Sequence, residues 1–298
     1  MPSWQDFQPF IVSGLALGGV YALSGVGIVV LYRATGVVYL AFGAVGAFGA
    51  LIAWSVTNNG GAPDWVGWIV GVLFAALVTL AYGMVFGVAL AKREPLVKAV
   101  ATLGLTLVLF GLMDLLWTTS GGQSRSLTFP TDNSGFMIGQ VQVNYTQVIA
   151  LGLGIAITAG TGAFLRFTRL GTAMRAMAND REITATLGVP VRRVEAAAWF
   201  GCGALGGVAG LLLADLVALD ATTLTFLVIS SLAAALIARL HSITLTFVAA
   251  IVVGLVHDLL TPIQSLTNYR DMTPFVLAAV ALLVFSRRQV IPLSQEEA

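Results

Sequence analysis

Nine apolar runs alternate with short polar breaks along this chain, over 10–31, 37–56, 65–91, 99–117, 145–165, 194–219, 222–238, 242–260 and 273–285. A bilayer hydrocarbon core is about 30 Å thick, and a helix needs about 20 apolar residues to cross it. Read as helices, the runs predict an all-α polytopic membrane protein with about nine transmembrane helices. The second and seventh runs are short, and Gly36, Gly43, Gly46 and Gly49 punctuate the second. Either one reads as a broken or re-entrant helix lining a cavity, which sets the range at eight to ten. Residues 1–298 form a single transmembrane domain in this reading.

The polar breaks set the orientation. Under nine crossings, Arg33, Lys92, Lys98, the 166–193 segment, Arg239, Arg287 and Arg288 fall on one side. Asp64, Asp220 and the nearly uncharged 118–144 and 261–272 loops fall on the other. Lys and Arg concentrate in cytoplasmic loops, so the N-terminus is expected outside and the C-terminus inside. The first nine residues hold Asp6 and no Lys or Arg, so no signal peptide is expected.

Composition agrees with a membrane protein and excludes several functions. The chain is 58% hydrophobic and 10% charged, against about 25% charged in a soluble domain. Mean hydropathy is +0.92. The single cysteine, Cys202, excludes an intrachain disulfide, and two histidines, His241 and His257, do not make a familiar metal cluster. No G-x-x-x-x-G-K-S/T run is present, so no nucleotide is bound through a P-loop. A nucleic-acid role needs a basic face that the chain lacks outside one loop. Asp114, Asp215 and Asp258 lie near the outer ends of their runs. They read as headgroup-zone residues or, alternatively, as a solute-facing ring. Midplane acids that would couple a proton or ion gradient are scarce. No cofactor and no catalysis are expected of this chain.

The exceptional segment is 166–193. It is basic and polar between two apolar runs, and it reads as a short helix ended by Gly188 and stopped by Pro190. Such a cytoplasmic helix is expected to be presented to a partner. Glycines four apart, such as Gly14/Gly18, Gly67/Gly71, Gly83/Gly87, Gly203/Gly207 and Gly206/Gly210, read as close helix packing. The Gly43/Gly46/Gly49 row reads either way, as packing or as the lining of a pathway.

Three stretches in order resemble one family: Gly14–Tyr32, then Arg93 to Leu105 with its Ala-Thr-Leu-Gly-Leu, then the L-G-x-A-M-R-A-x-A-x-D-R-E-x-x-x-x-L-G-V run within 169–194. The chain resembles the smaller permease subunit of branched-chain (hydrophobic) amino acid ABC importers. The resemblance implies a bundle related to type II importers, with 166–193 as the cytoplasmic coupling segment. It also implies a second, non-identical permease, two cytoplasmic ATPases that hydrolyse ATP with Mg, and an extracytoplasmic solute-binding protein. Coupling is then expected of Met174, Met177 and Leu187 through apolar burial in an ATPase groove, and of Arg175, Asp180 and Arg181 through charge. Gly188 would end the helix. The solute pathway is expected at Tyr39, Phe42 and Gly43, with Tyr21 and Thr102 as neighbours.

The chain departs from the family where its second run usually reads G-V-I-N-F-A-H-G-E. Here Gly36 to Ala44 put Tyr39, Phe42 and Ala44 where Asn, His and Glu stand. Before the eighth run, a Gly-Gly-x-Gly-Ser stretch is replaced by Ala238-Arg239-Leu240-His241-Ser242. The change reads either as a lost polar packing pair with no change of solute or as favouring a bulkier, more apolar solute, an aromatic or alicyclic acid, slightly over leucine or valine. The competing readings are a stand-alone secondary transporter or channel, and a non-transporting scaffold.

Overall fold

The computed structural model describes residues 4–91, 93–117, 127, 135–138, 141–217, 219–263 and 267–287. Of the charges used above, Lys92 and Arg288 lie outside the described residues. Each apolar run is a helix: α1 (Trp4–Thr35), α2 (Phe42–Asn58), α3 (Asp64–Tyr82), α4 (Pro95–Trp117) and α5 (Tyr145–Phe167). The basic segment forms α6 (Arg169–Asn179) and α7 (Arg181–Thr186), and the rest are α8 (Val191–Leu216), α9 (Ala221–Ile237), α10 (Ile243–Leu259) and α11 (Thr273–Arg287). Five spans, Phe7–Thr35, Asp64–Gly87, Pro95–Trp117, Tyr145–Phe167 and Val191–Leu216, are long and apolar enough to cross a membrane. The helices α2, α9 and α10 are apolar but shorter.

The polar loop before α5 holds a feature the sequence reading missed. Strands β1 (Gly135–Ile138) and β2 (Val141–Asn144) pair antiparallel, with Ile138 opposite Val141. The hairpin runs straight into α5. There Asn144 caps the helix, and its backbone N–H donates to Gln147 Oε1 at 3.2 Å. This reciprocal cap satisfies donors that a helix start leaves open.

The axial helix is α1, which packs against α5, α8, α9 and α10. Close approach comes from glycine against backbone rather than from large side chains. A Cβ on Gly254 would stand 2.5 Å from the Gly18 nitrogen, and one on Gly154 would stand 2.6 Å from the Gly19 carbonyl. Helix α2 is buried along Phe42–Leu51 between α3, α8 and α9. Its Gly43/Gly46/Gly49 row meets a different neighbour at each step. A Cβ on Gly43 would lie 2.5 Å from the Thr225 carbonyl of α9, one on Gly46 2.7 Å from the Gly206 carbonyl of α8, and one on Gly49 2.8 Å from the Gly71 carbonyl of α3. Of the two readings left open for this row, the structure takes helix packing. Helix α4 is held more loosely, through Phe48, which stacks on Phe74 at 5.2 Å and meets Trp117 edge-on at 5.3 Å. The Trp117 indole also donates to Ser55 Oγ at 2.8 Å.

The second run is not helical from its start. Gly36 ends α1 with φ +69, its N–H donating to the Tyr32 carbonyl at 2.7 Å, and residues up to Leu40 are irregular. Irregular backbone at membrane depth must find partners within the protein. Thr102 of α4 supplies them: its hydroxyl accepts from the Leu40 N–H at 3.1 Å and lies 3.2 Å from the Val38 carbonyl and 2.8 Å from the Ala99 carbonyl. At the α9–α10 turn, Arg239 and Leu240 hold φ of 56 and 57 without being glycine. Left-handed backbone costs an ordinary residue about 1–2 kcal/mol. Burial of Leu240 in the core offsets part of that cost.

The glycine crossings make a direct prediction. A Cβ on Gly210 would overlap the Gly46 carbonyl, whereas Gly152 has open space around it. Gly210→Val is expected to destabilise the bundle by about 1–3 kcal/mol through overpacking, and Gly152→Ala, mid-helix with open space, to leave it no less stable, with a gain of up to about 1 kcal/mol. Thermal unfolding of the detergent-solubilised protein checks both.

Candidate coupling segment and solute pathway

The 166–193 segment is two helices, not the single helix expected. Asp180 breaks it, taking extended backbone and accepting from the Ile183 N–H at 2.9 Å, which starts α7 afresh. An Asp or Asn before a helical turn is a strong N-cap, so Asn179-Asp180 carried a legible signal that the reading passed over. The first helix, α6, begins in the same way at Thr168, whose hydroxyl accepts from the Gly171 N–H at 3.0 Å. Gly188 closes the segment at φ +81, and Pro190 then caps α8.

The two helices face in different directions. Met174 and Met177 are buried, and α6 packs on α1, α5 and α8 of this same chain. These two methionines therefore root the segment in the bundle; their apolar burial needs no partner. The apolar side chains left open are Ile183 and Leu187 of the second half, 60% and 77% exposed. Ile183 was missed, although it lies four residues before Leu187, the spacing of one helical face. Arg175 is exposed, with its guanidinium 3.5 Å from the Arg166 carbonyl. Arg181 makes its charged contact inside the chain, with Nη2 2.8 Å from Glu195 Oε1 and Nε donating to the same oxygen at 2.9 Å.

Glu195 connects the segment to an aromatic cluster. It sits one helical turn before Trp199 on α8, and both border a small cleft with Thr35, Lys98 and Arg181. The Trp199 ring meets Tyr39 edge-on at 5.4 Å and Tyr82 at 5.7 Å, and Tyr82 stacks on Phe86 at 5.1 Å. The Tyr39 hydroxyl reaches Thr79 Oγ1 at 3.4 Å. The indole has room because α3 continues as a π-helical turn, Gly83–Gly87, where a Cβ on Gly83 would overlap the Trp199 ring. A π-turn widens the helix locally, and glycine clears the surface beneath the ring. Glu195 and Trp199 were not singled out in the sequence; a lone acid four residues before a tryptophan at the head of an apolar run was the available signal.

The five expected pathway residues are all buried: Tyr21, Tyr39, Phe42, Gly43 and Thr102. Tyr39 belongs to the aromatic cluster, and Thr102 pins the irregular segment beside it. Phe42 packs against Gly27 and Gly206, and Gly43 against α9. None of the five lines either of two large cavities of the chain. One is an apolar groove of about 600 Å³ between α3, α5 and α8. The other, of about 800 Å³, has mixed walls and lies among α1, α9, α10 and α11. Among the described residues, no group of three or more His, Cys, Asp or Glu could hold a metal ion.

Long apolar helices, with a polar helical pair set between two of them, place the chain among multi-pass membrane proteins. Residues 10–285 match the family described as the permease component of branched-chain amino acid transport systems, and the chain belongs to that family. It is similar to the high-affinity branched-chain amino acid transport system permease protein LivH of Salmonella typhimurium, at 26% identity over 294 residues covering 93% of each chain. It is also similar to the BraD permease protein of Pseudomonas aeruginosa, at 26% over 301 residues covering 95% of each. A probable LivH of Methanocaldococcus jannaschii is 26% identical over 250 residues, covering 80% of this chain and 76% of that one.

The cluster and the ion pair should separate on substitution. Trp199→Ala leaves a cavity at the centre of the ring contacts and is expected to cost about 3–5 kcal/mol. Glu195→Gln removes a half-exposed ion pair and is expected to cost less than about 1 kcal/mol. Thermal unfolding in detergent, with Phe200→Ala as an exposed aromatic control, reads the difference.

Proposed function

We propose that this chain is one permease subunit of an ABC importer in the bacterial cytoplasmic (inner) membrane, and that it forms half of the translocation pathway. Its solute is a branched-chain amino acid or a related small organic solute with an apolar body. A second, non-identical permease supplies the other half. Two cytoplasmic ATPases bind and hydrolyse ATP with Mg, and an extracytoplasmic binding protein delivers the solute. Nine helices cross the bilayer, with the N-terminus outside and the C-terminus inside. The observation that carries the reading is the α6–α7 pair. One half is rooted in the bundle by Met174 and Met177, while the other presents Ile183 and Leu187 to solvent. An autonomous carrier has no use for an apolar cytoplasmic face of this kind.

The coupling route proposed runs along the contacts from α7 to α8. An ATPase groove takes Ile183 and Leu187, with Arg175 and Asp180 at its rim; interface charges of this kind set register more than affinity. Movement of α7 pulls on Arg181 and through it on Glu195 of α8. The next turn of α8 carries Trp199, so the pull reaches Tyr39 and Tyr82. The aromatic cluster is the closed cytoplasmic end of the pathway, and Phe42, Gly43, Tyr21 and Thr102 continue it. Apolar side chains that meet without strong polar anchors suit a gate, because a pathway must release what it holds.

Affinity purification from native membranes is expected to recover a second permease and two ATPase chains. Recovery of this polypeptide alone, with full transport on reconstitution, favours the stand-alone transporter instead. Leu187→Asp is expected to abolish solute-stimulated ATP hydrolysis while the solubilised bundle keeps its unfolding temperature. Gly188→Val should do the same, since β-branched residues do not adopt φ near +81 without strain. Unchanged stimulation in both variants rules out the docking assignment.

A further inference from the structure

The groove between α3, α5 and α8 is walled almost entirely by hydrocarbon. Ile69 and Leu73 line it from α3, Ile149 from α5, and Ala204 and Val208 from α8. The first three are exposed, so the groove opens sideways, toward lipid. Helices α3 and α8 run antiparallel here, since Gly203 meets Ala75 and Thr79 while Gly207 meets Val72. The groove follows α3 from Trp68 to Ala76 and α8 from Leu212 back to Phe200. At about 1.5 Å per residue these stretches are about 12 and 18 Å long. One leaflet of a bilayer's hydrocarbon core is about 15 Å deep, so the groove is a slot one leaflet deep. Trp65 and Trp68, near the start of α3, mark its headgroup end, as tryptophan does at membrane interfaces. Phe200 lies at its deep end.

A volume of about 600 Å³ spread over that depth gives a cross-section of about 40 Å². A helix with its side chains is about 10–12 Å across, or about 80–110 Å² in section. The slot is therefore too narrow for a helix of another subunit and admits a chain of methylenes. Apolar burial gives such a chain no drive to leave the surrounding lipid tails. Selection has to come from shape and from charge at the mouth. At that end the three helices carry acids alone. Asp64 stands exposed one helical turn before Trp68, and Asp215 lies one turn after Leu211. The basic residues of these helices, Arg166 of α5 and Arg192 and Arg193 of α8, all lie at the opposite end. An anionic headgroup is repelled at such a mouth, and an ammonium group is attracted.

We propose that the slot holds one acyl chain of an ethanolamine-headed phospholipid as a bound lipid, drawn from the leaflet at the N-terminal ends of α3 and α5. The ammonium group lies by Asp64, and the second chain stays in the bilayer. The end of the seated chain meets Phe200, the sequence neighbour of Trp199. Trp199 is buried in the aromatic cluster while Phe200 is exposed to the slot, so the lipid backs α8 at the level of that cluster. The proposal goes beyond the permease reading and needs only a bilayer around the bundle.

The test places the full chain, with the partners it retains on purification, in phosphatidylglycerol nanodiscs. Two photoreactive probes are added in turn, a phosphatidylethanolamine and a phosphatidylglycerol, each with a diazirine at the end of one acyl chain. Labelled residues are read by mass spectrometry, with Leu107, exposed at mid-helix on α4, as the measure of passing lipid. At Phe200 the ethanolamine probe is expected to label about fivefold more than the glycerol probe, the effect of one charge at a membrane surface. At Leu107 the two probes are expected to label alike. Asp64→Asn should bring the ratio at Phe200 down to that at Leu107. Ala204→Trp and Val208→Phe, which fill the slot from α8, are each expected to remove most of the labelling of Phe200 and leave that of Leu107. Equal ratios at the two residues in the unmodified protein, a ratio unchanged by Asp64→Asn, or labelling untouched by both filling variants overturns the proposal. A photoreactive residue placed at Leu73 reads the occupant directly: a cross-link to phospholipid is expected, and one to a second polypeptide overturns the proposal. None of these readouts involves transport, so the result is independent of the permease assignment.

Discussion

Everything in this bundle depends on bringing helix backbones together where no water is available. Apolar burial gives no drive between helices already in lipid, so association rests on van der Waals fit and on satisfied backbone groups. The chain meets that constraint with glycine against backbone, at Gly18/Gly254, Gly19/Gly154, Gly46/Gly210 and Gly49/Gly71. Because α1 and α2 lose side-chain bulk at these points, other helices can close around both of them. That closure buries the irregular residues after Gly36, and burial in turn requires Thr102 to supply hydrogen bonds that a helix would have made for itself.

The same closeness gives the 166–193 segment a firm base. Helix α6 is seated by Gly171, where a Cβ would stand 2.5 Å from the Leu165 Cα, and by Met174 and Met177 behind it. The break at Asp180 then turns α7 so that its apolar side faces outward while Arg181 reaches back to Glu195. Rigid seating and an exposed face within one short stretch suit the passing of force between a soluble subunit and a membrane subunit. From Glu195 the contacts continue through Trp199 to Tyr39 and Tyr82, which share one cluster only because the π-turn at Gly83–Gly87 leaves space for the indole.

Much of the fold was legible in advance. All nine apolar runs appear as helices with ends close to those expected, because hydrophobic length and Pro/Gly punctuation act locally. Of the two runs read as broken or re-entrant, the second is irregular only over its first residues after Gly36, with Gly43, Gly46 and Gly49 inside a continuous helix, and the seventh is the continuous helix α9. The hairpin at 135–144 was not: its short strands sit in a Ser/Thr/Gly-rich stretch with weak alternation, and pairing between strands is a non-local event. The site was read less well. Met174, Met177 and Leu187 share an apolar character in sequence, and only the turn at Asp180 separates the two that face the bundle from the one that faces out.

The sequence by itself determined the class of protein, the apolar runs that become helices and the family to which the chain belongs. These are properties of composition, run length and local motif, and they do not depend on which helix touches which. Tertiary structure alone decided that Gly43, Gly46 and Gly49 each meet a different helix, that Arg181 pairs with Glu195, and that Asp258 shares a cavity with Arg270. Those pairings join residues far apart in the chain, or apart across a helix break. Their partners are chosen by the crossing geometry of the helices, which no local pattern encodes.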